Sequence, residues 1–252
     1  MRATNVIFLK NSGLDQSFLR QPKLRIQVAK LQYYEILTMR KFNLIDKFIS
    51  EVDQSLRTVF AKAPTTERPN PASDVKVTDE LSEEEAKLSA SLMRINHAGE
   101  IAAQGLYRGQ AVTAKREDIR EQMERSAMEE NDHLNWCENR LIELNSHKSY
   151  LSPIWYWGSF AIGATAGLAG DKWSLGFVKE TEDQVVRHID KHLTRLPAKD
   201  LPSLMILQQM KEDEKHHASI AVQAGAAKLP LVVRKILMPI NARVMTTLAA
   251  RI

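Results

Sequence analysis

From residue 42 onward, apolar positions recur at three- and four-residue spacing, the period of a helix that buries one face. Leu44, Ile45, Phe48, Ile49, Val52, Leu56 and Phe60 carry this period across residues 42–60 and predict a short amphipathic helix. The stretch KAPTTERPNPASD that follows has three prolines and no period. It reads as a linker or as an extended wrap over the domain surface. Ser82 with Glu85 three residues later is a capping-box signature, opening a long helix to about Thr113. Further long helices are expected over about 116–146, from near Asp171 to before Pro197, and from an Asp200 cap to about Gly225. The closing LPLVVRKILMPINARVMTTLAARI is apolar and basic, a helix expected to bend at Pro239.

Residues 151–170, LSPIWYWGSFAIGATAGLAG, carry no charge and are long enough to cross a hydrocarbon core. Pro153, four glycines and several small polar residues dilute the hydrophobicity. Three readings stay open: a membrane span, contact with one leaflet, or a buried crossover helix.

Composition narrows the picture. Glycine and proline are sparse, 10 and 9 of 252 residues, which favours helices over a β-fold with many turns. A single cysteine, Cys137, rules out an intramolecular disulfide and a four-thiolate metal site, and a reducing compartment is the natural setting. From Lys215 to Ile252 there are six Lys or Arg and no acid. That balance suits an anionic membrane surface; no helix-turn-helix, zinc finger or stacking-aromatic pattern points to nucleic acid. Residues 1–38 hold six basic residues and two acids and lack the apolar core of a secretory signal. They are expected to be a dispensable tail or to precede a natural start at Met39. The expected organisation is therefore a tail (1–38), a short helix with a proline-rich linker (39–80) and an all-α domain (81–252).

The chemistry lies in two Glu-x-x-His pairs, Glu130 with His133 and Glu214 with His217. Residues three apart share a helix face, so each pair can converge on one point. Register separates these from their neighbours. Glu130 shares a stripe with Met123, Ala127, Cys137 and Leu141, whereas Glu129 aligns with Gln122, Arg125 and Arg140 and is expected on a solvated face. Glu214 and His217 align with Leu207, Met210 and Ala221, and the competing Asp213 and His216 are expected to be more exposed. The other two long helices each offer one inward carboxylate: Glu100, in line with Met93, His97 and Tyr107, and Glu182, in line with Leu175, Val178 and Ile189. Glu180 aligns with Arg187 and Lys191 and is expected to be solvated.

Glu100 precedes Glu130 by 30 residues and Glu182 precedes Glu214 by 32, as in a duplicated helix pair. Four buried carboxylates must be protonated or neutralised, and two divalent cations with two neutral histidines would balance them. That inventory is the known ligand set of ferritin-like di-iron carboxylate bundles, a recognised pattern rather than a deduction. The expected fold is thus a ferritin-like four-helix bundle with a binuclear metal centre, an extra apolar segment and a C-terminal amphipathic helix. Ala98 and Gly99 are small enough to admit a close neighbour. His97 is expected either to support a ligand carboxylate or to be a satisfied core histidine.

RINHAGE, MEENDH, ETEDQVVRHIDKHL and MKEDEKHHA together resemble the demethoxyubiquinone hydroxylases, over roughly residues 40–252. The resemblance implies two iron ions per chain held by Glu100, Glu130, His133, Glu182, Glu214 and His217, with His188 supporting the oxygen-reactive centre. It implies an O2-dependent monooxygenase acting on the ring of a polyprenyl demethoxy-ubiquinol, peripheral to the cytoplasmic face of the cell membrane. A homo-oligomer or a ubiquinone-biosynthesis complex would be compatible. No G-x-G-x-x-G follows a strand, so electrons are expected from a partner, from the quinol, or from a reductant bound without that motif. Two alternatives use the same residues differently: a ferroxidase or iron-binding protein, and a non-catalytic quinone-binding protein of the membrane surface.

Overall fold

Both helix starts with a capping signature begin where the side chains dictate. In the computed structural model, which describes residues 43–66, 68–75 and 79–252, Ser82 Oγ accepts from the Glu85 N–H at 3.3 Å and Glu85 Oε2 accepts from the Ser82 N–H at 2.8 Å. Asp200 Oδ1 accepts from the Ser203 N–H at 3.1 Å. The expectation for residues 1–38 lies outside the described residues. The chain divides into two units, Met1–Ser50 and Glu51–Ile252; of the first, only residues 43–50 are described.

The elements are α1 (Leu44–Phe60), α2 (Glu83–Thr113), α3 (Glu117–Glu143), α4 (Ser152–Ala169), α5 (Asp171–Leu193), α6 (Leu201–Gln223), a π-helical turn (Val233–Leu237) and α7 (Met238–Ala249). No strand occurs among the described residues. α3 ends before the expected residue 146 because Asn145 takes φ 50° and the Ser146 N–H turns back to the Leu141 carbonyl at 2.8 Å, a left-handed cap that closes the helix. Pro239 does not break the last helix. Its missing N–H is accommodated by the π turn before it, where the Met238 N–H reaches the Val233 carbonyl five residues back.

Two apolar layers set the helix directions. One joins Met93, Cys137, Ile189 and Met210; the other joins Tyr107, Met123, Leu175 and Ala221. Read in order, α2 and α6 therefore run one way and α3 and α5 the other, a ferritin-like bundle. Parallel neighbours in chain order need a crossover, and α4 supplies it by returning along the back of α2. The seam between them is built on glycine. A Cβ on Gly105 would collide with the Tyr156 carbonyl oxygen, on Gly109 with that of Phe160, on Gly163 with that of Leu106, and on Gly167 with Thr113 Oγ1.

This settles one of the three readings of residues 151–170: no helix of the described residues is long and apolar enough to cross a membrane. α4 buries Ser152, Tyr156, Gly163 and Gly167 and turns Ile154, Trp157 and Leu168 outward. α1 departs further from expectation. Its helix is where the period places it, yet Ile45, Phe48, Ile49, Leu56 and Phe60 are all more than half exposed. Ser55, Thr58 and Val59 are the buried positions, and Glu51 is paired with Arg108 of α2. Glu180 is also not solvated: it is 7% exposed, with Arg187 at 3.3 Å and Arg234 of the C-terminal segment at 3.9 Å. The proline-rich stretch is a wrap. The Ala63 carbonyl accepts from Asn135 Nδ2 at 2.9 Å, and Thr66 bonds Asp132 through its N–H at 2.7 Å and its hydroxyl at 2.5 Å.

The seam makes a discriminating prediction. Gly163→Val should lower stability by about 3 kcal/mol or more, since backbone must move to admit it. Gly99→Ala, where a Cβ meets nothing within 4 Å, should raise it by about 0.5–1 kcal/mol through helix propensity. Denaturant unfolding of both variants measures the contrast, and equal effects would refute the close-packed seam.

Candidate metal centre

Glu100, Glu130, Glu182, Glu214, His133 and His217 lie one per inward stripe position between the two apolar layers, each no more than 4% exposed. α2 contributes Glu100, α5 Glu182, and α3 and α6 one Glu-x-x-His pair each. One ligand atom from each of Glu100, Glu130, His133 and Glu214 lies within 4.8 Å of the others. His133 Nδ1 is 2.8 Å from Glu130 Oε2, 3.2 Å from Glu214 Oε1 and 3.7 Å from Glu100 Oε2. His217 Nδ1 is 3.1 Å from Glu130 Oε1 and 3.3 Å from Glu214 Oε2. Glu130 and Glu214 thus present one oxygen to each histidine. Glu100 sits on the His133 side; Glu182 is close enough to His217, Glu130 and Glu214 for their charges to act on it.

Both Glu130 oxygens, Glu214 Oε1 and His133 Nδ1 are buried without a partner in hydrogen-bonding geometry. Lone pairs that converge without bonding one another are what bound cations would require. Oxygen with imidazole nitrogen suits iron or manganese among divalent metals. The residues present therefore fit a binuclear centre.

The outward ring nitrogens are held by Glu129, expected on a solvated face, and by Asp213, expected to be more exposed than Glu214, as it is. His133 Nε2 is 2.9 Å from Asp213 Oδ2 on α6, and His217 Nε2 is 3.0 Å from Glu129 Oε2 on α3. Each histidine is thus gripped by the acid preceding the Glu of the opposite pair, fixing the ring so that Nδ1 faces inward. Asp213 is 15% exposed and Glu129 29%. They point across the gap between α3 and α6, where the stripe argument sees only polar neighbours. The signal was an acid directly before both Glu-x-x-His pairs. Tyr107 completes the arrangement, its hydroxyl donating to Glu182 Oε1 at 2.6 Å.

Burial, with the charge of Glu130, pushes the Glu100 carboxyl well above the carboxylate range; burial with Glu214 and Glu130 does the same to Glu182. Burial also opposes the charge on Glu130, but the His133 contact overrides it and holds this carboxyl well below. Burial disfavours both imidazolium ions, yet the surrounding carboxylates outweigh it and raise His133 and His217. The hydrogen bond from His217 brings Glu129 down to about 2. Protein charges alone thus leave protons on the cluster, which entering cations must displace.

His97 is buried with an unpartnered Nδ1, and burial lowers it to about 3; among the described residues no hydrogen bond joins it to a ligand carboxylate. His188 packs edge-on against His192 at 4.1 Å between ring centroids, its Nε2 unpartnered, while His192 Nδ1 lies 3.0 Å from Asn96 Nδ2. Gly99 does not admit a helix: the space beside it is open. His216 is exposed, as expected.

The pattern of the ubiquinone biosynthesis protein COQ7 family matches residues 87–249. A 3-demethoxyubiquinol 3-hydroxylase of Nitrosococcus oceani is 56% identical over 210 residues, covering 83% of this chain and 97% of the relative. Proteins with the same name from Acinetobacter baumannii and Legionella pneumophila are 51% and 52% identical over 208 and 204 residues, covering 82% and 81% of this chain and 97% and 95% of those relatives.

Anaerobic titration of the metal-free protein with Fe(II) or Co(II) should release protons, and binding should weaken as pH falls because protons compete for the same atoms. Glu182→Ala should keep its helical circular dichroism and hold fewer than two metals per chain. A full complement in that variant would remove Glu182 from the centre.

Proposed function

The chain belongs to the COQ7 family of ubiquinone biosynthesis proteins, and from that premise we propose that it is a di-iron, O2-dependent monooxygenase hydroxylating the ring of a polyprenyl demethoxy-ubiquinol. The observation that carries the reading is the pair of inward Nδ1 atoms facing two shared carboxylates between two apolar layers. Two irons bound there would supply the redox chemistry that activates O2, which no side chain provides. Glu100, Glu130, His133, Glu182, Glu214 and His217 would hold them. Asp213 and Glu129 keep the histidine rings oriented, and Tyr107 fixes Glu182. The apolar layers would keep bulk water from the centre and from a ring bound beside it. One oxygen atom enters the ring C–H bond and the other leaves as water, with two electrons and two protons drawn from a reductant.

A prenylated quinol resides in the bilayer, which gives the outward apolar faces a purpose. α7 exposes Ile240, Val244 and Leu248 beside Arg243, and α4 exposes Ile154, Trp157 and Leu168. Apolar surface flanked by cations suits a peripheral protein on an anionic, cytoplasmic-facing membrane surface. A ferroxidase shares the ligand set but leaves these faces without a role, and a non-catalytic quinone carrier leaves the six convergent ligands unused.

Cells lacking the gene should accumulate a demethoxy precursor, cleared by the wild type and not by Glu182→Ala, as read by mass profiling of the quinone pool. An unchanged pool in every strain would sink the hydroxylase reading. Ile240→Glu with Val244→Glu should weaken sedimentation with anionic liposomes by about tenfold or more, given roughly 1.5–3 kcal/mol for each apolar side chain returned to water. Undiminished binding would move the contact elsewhere.

A further inference from the structure

The proline-rich wrap meets the flank of the candidate metal centre at Arg68. Arg68 reaches two carboxylates on two ligand-bearing helices: its Nε donates to Asp132 Oδ2 of α3 at 3.1 Å and its Nη1 to Asp213 Oδ2 of α6 at 2.8 Å. That Asp213 oxygen is the one facing His133 Nε2 at 2.9 Å, while Gln209 occupies Oδ1 at 2.9 Å. The guanidinium carbon also lies 5.1 Å from the centroid of the Trp136 ring, and the His133 ring lies 5.4 Å from that ring on centroids. The wrap is anchored independently, because fully buried Asp132 takes both bonds from Thr66.

The twofold likeness of the centre fails at this point. On the His217 side, the carboxylate gripping the ring is Glu129, and its cation is Arg125, one turn back on the same helix at 2.7 Å. On the His133 side the cation comes from outside the four helices, from a stretch before residue 87, where the family pattern begins.

We propose that Arg68 is a positioning residue that holds Asp213 against His133, so that the proline-rich wrap sets the geometry of one metal position and not the other. The inference rests on the binuclear reading of the centre. The fork shape of the guanidinium is essential, because a point charge on a flexible stem cannot meet Asp132 and Asp213 together in this fixed geometry. Loss of a residue that orients a metal-binding histidine through its far nitrogen typically weakens metal affinity about 10–100-fold.

The test is Co(II) titration of full-length wild type, Arg68→Ala, Arg68→Lys, Asp213→Asn and Arg68→Ala/Asp213→Asn, followed by the visible ligand-field bands, with thermal melts of each metal-free protein. The expected result is one cobalt bound as in the wild type and one bound about 10–100-fold more weakly in Arg68→Ala, with Arg68→Lys only partly restored. The double variant should be no weaker than Asp213→Asn alone, since the two residues act in series. Thr66→Ala, which loosens the anchor without touching Asp213, should weaken the same cobalt less. Equal weakening of both cobalt ions, additive effects in the double variant, or an unchanged titration beside a lowered melting temperature would each overturn the proposal. A wild type that binds no second cobalt would instead overturn the binuclear reading.

Discussion

Four carboxyl groups cannot be carried as free anions into an apolar interior, and the rest of the molecule is arranged around that constraint. The cost of removing each charge from water is several kcal/mol even after relaxation. Here the four sit between dry layers formed by Met93, Cys137, Ile189 and Met210 on one side and Tyr107, Met123, Leu175 and Ala221 on the other. Two imidazoles face them, and each imidazole has its outer nitrogen on a further carboxylate. Such a cluster holds protons on Glu100, Glu182 and both imidazoles until cations displace them. A buried cluster of carboxyl groups and imidazoles held in place by packing is a poor device for stability and a good one for binding metal.

The long helices are what make that placement possible, and they were the most legible part of the chain. Their stripes combine local periods with caps at Ser82 and Asp200, all short-range information. The six convergent residues followed because a charged side chain on an apolar stripe must meet a counter-charge or a metal once it is buried. What failed was exposure inferred one helix at a time. Glu129 and Asp213 lie beside polar neighbours on their own helices, but the surface they meet belongs to the opposite helix. Glu180 is covered in part by Arg234, more than fifty residues away in the chain. α1 shows the limit most clearly: amphipathicity identifies a helix with an apolar face, but not what that face will meet. Its small and polar side is the one laid on the domain at Ser55, Thr58 and Val59.

The proline-rich wrap illustrates a related point. Lack of period, with three prolines, identifies an extended segment but not its destination. Its attachment is made by side chains whose partners lie 64 to 145 residues further on, Asp132 and Asp213 among them. Segments of this kind lie outside the reach of pattern arguments, although they touch residues that such arguments find readily.

The glycine seam has a consequence for the centre although it lies behind it. At about 100° per residue, Gly109 stands roughly 180° around α2 from Glu100 and Gly105 roughly 140°. Backbone meets backbone at those glycines, so α2 cannot turn about its own axis without driving a side chain into α4. The crossover thus works as a keyway for the helix in front of it. The rotational phase of Glu100 is set from the rear, by atoms that never approach the buried cluster, and a helix indexed in this way presents its carboxylate at one fixed angle.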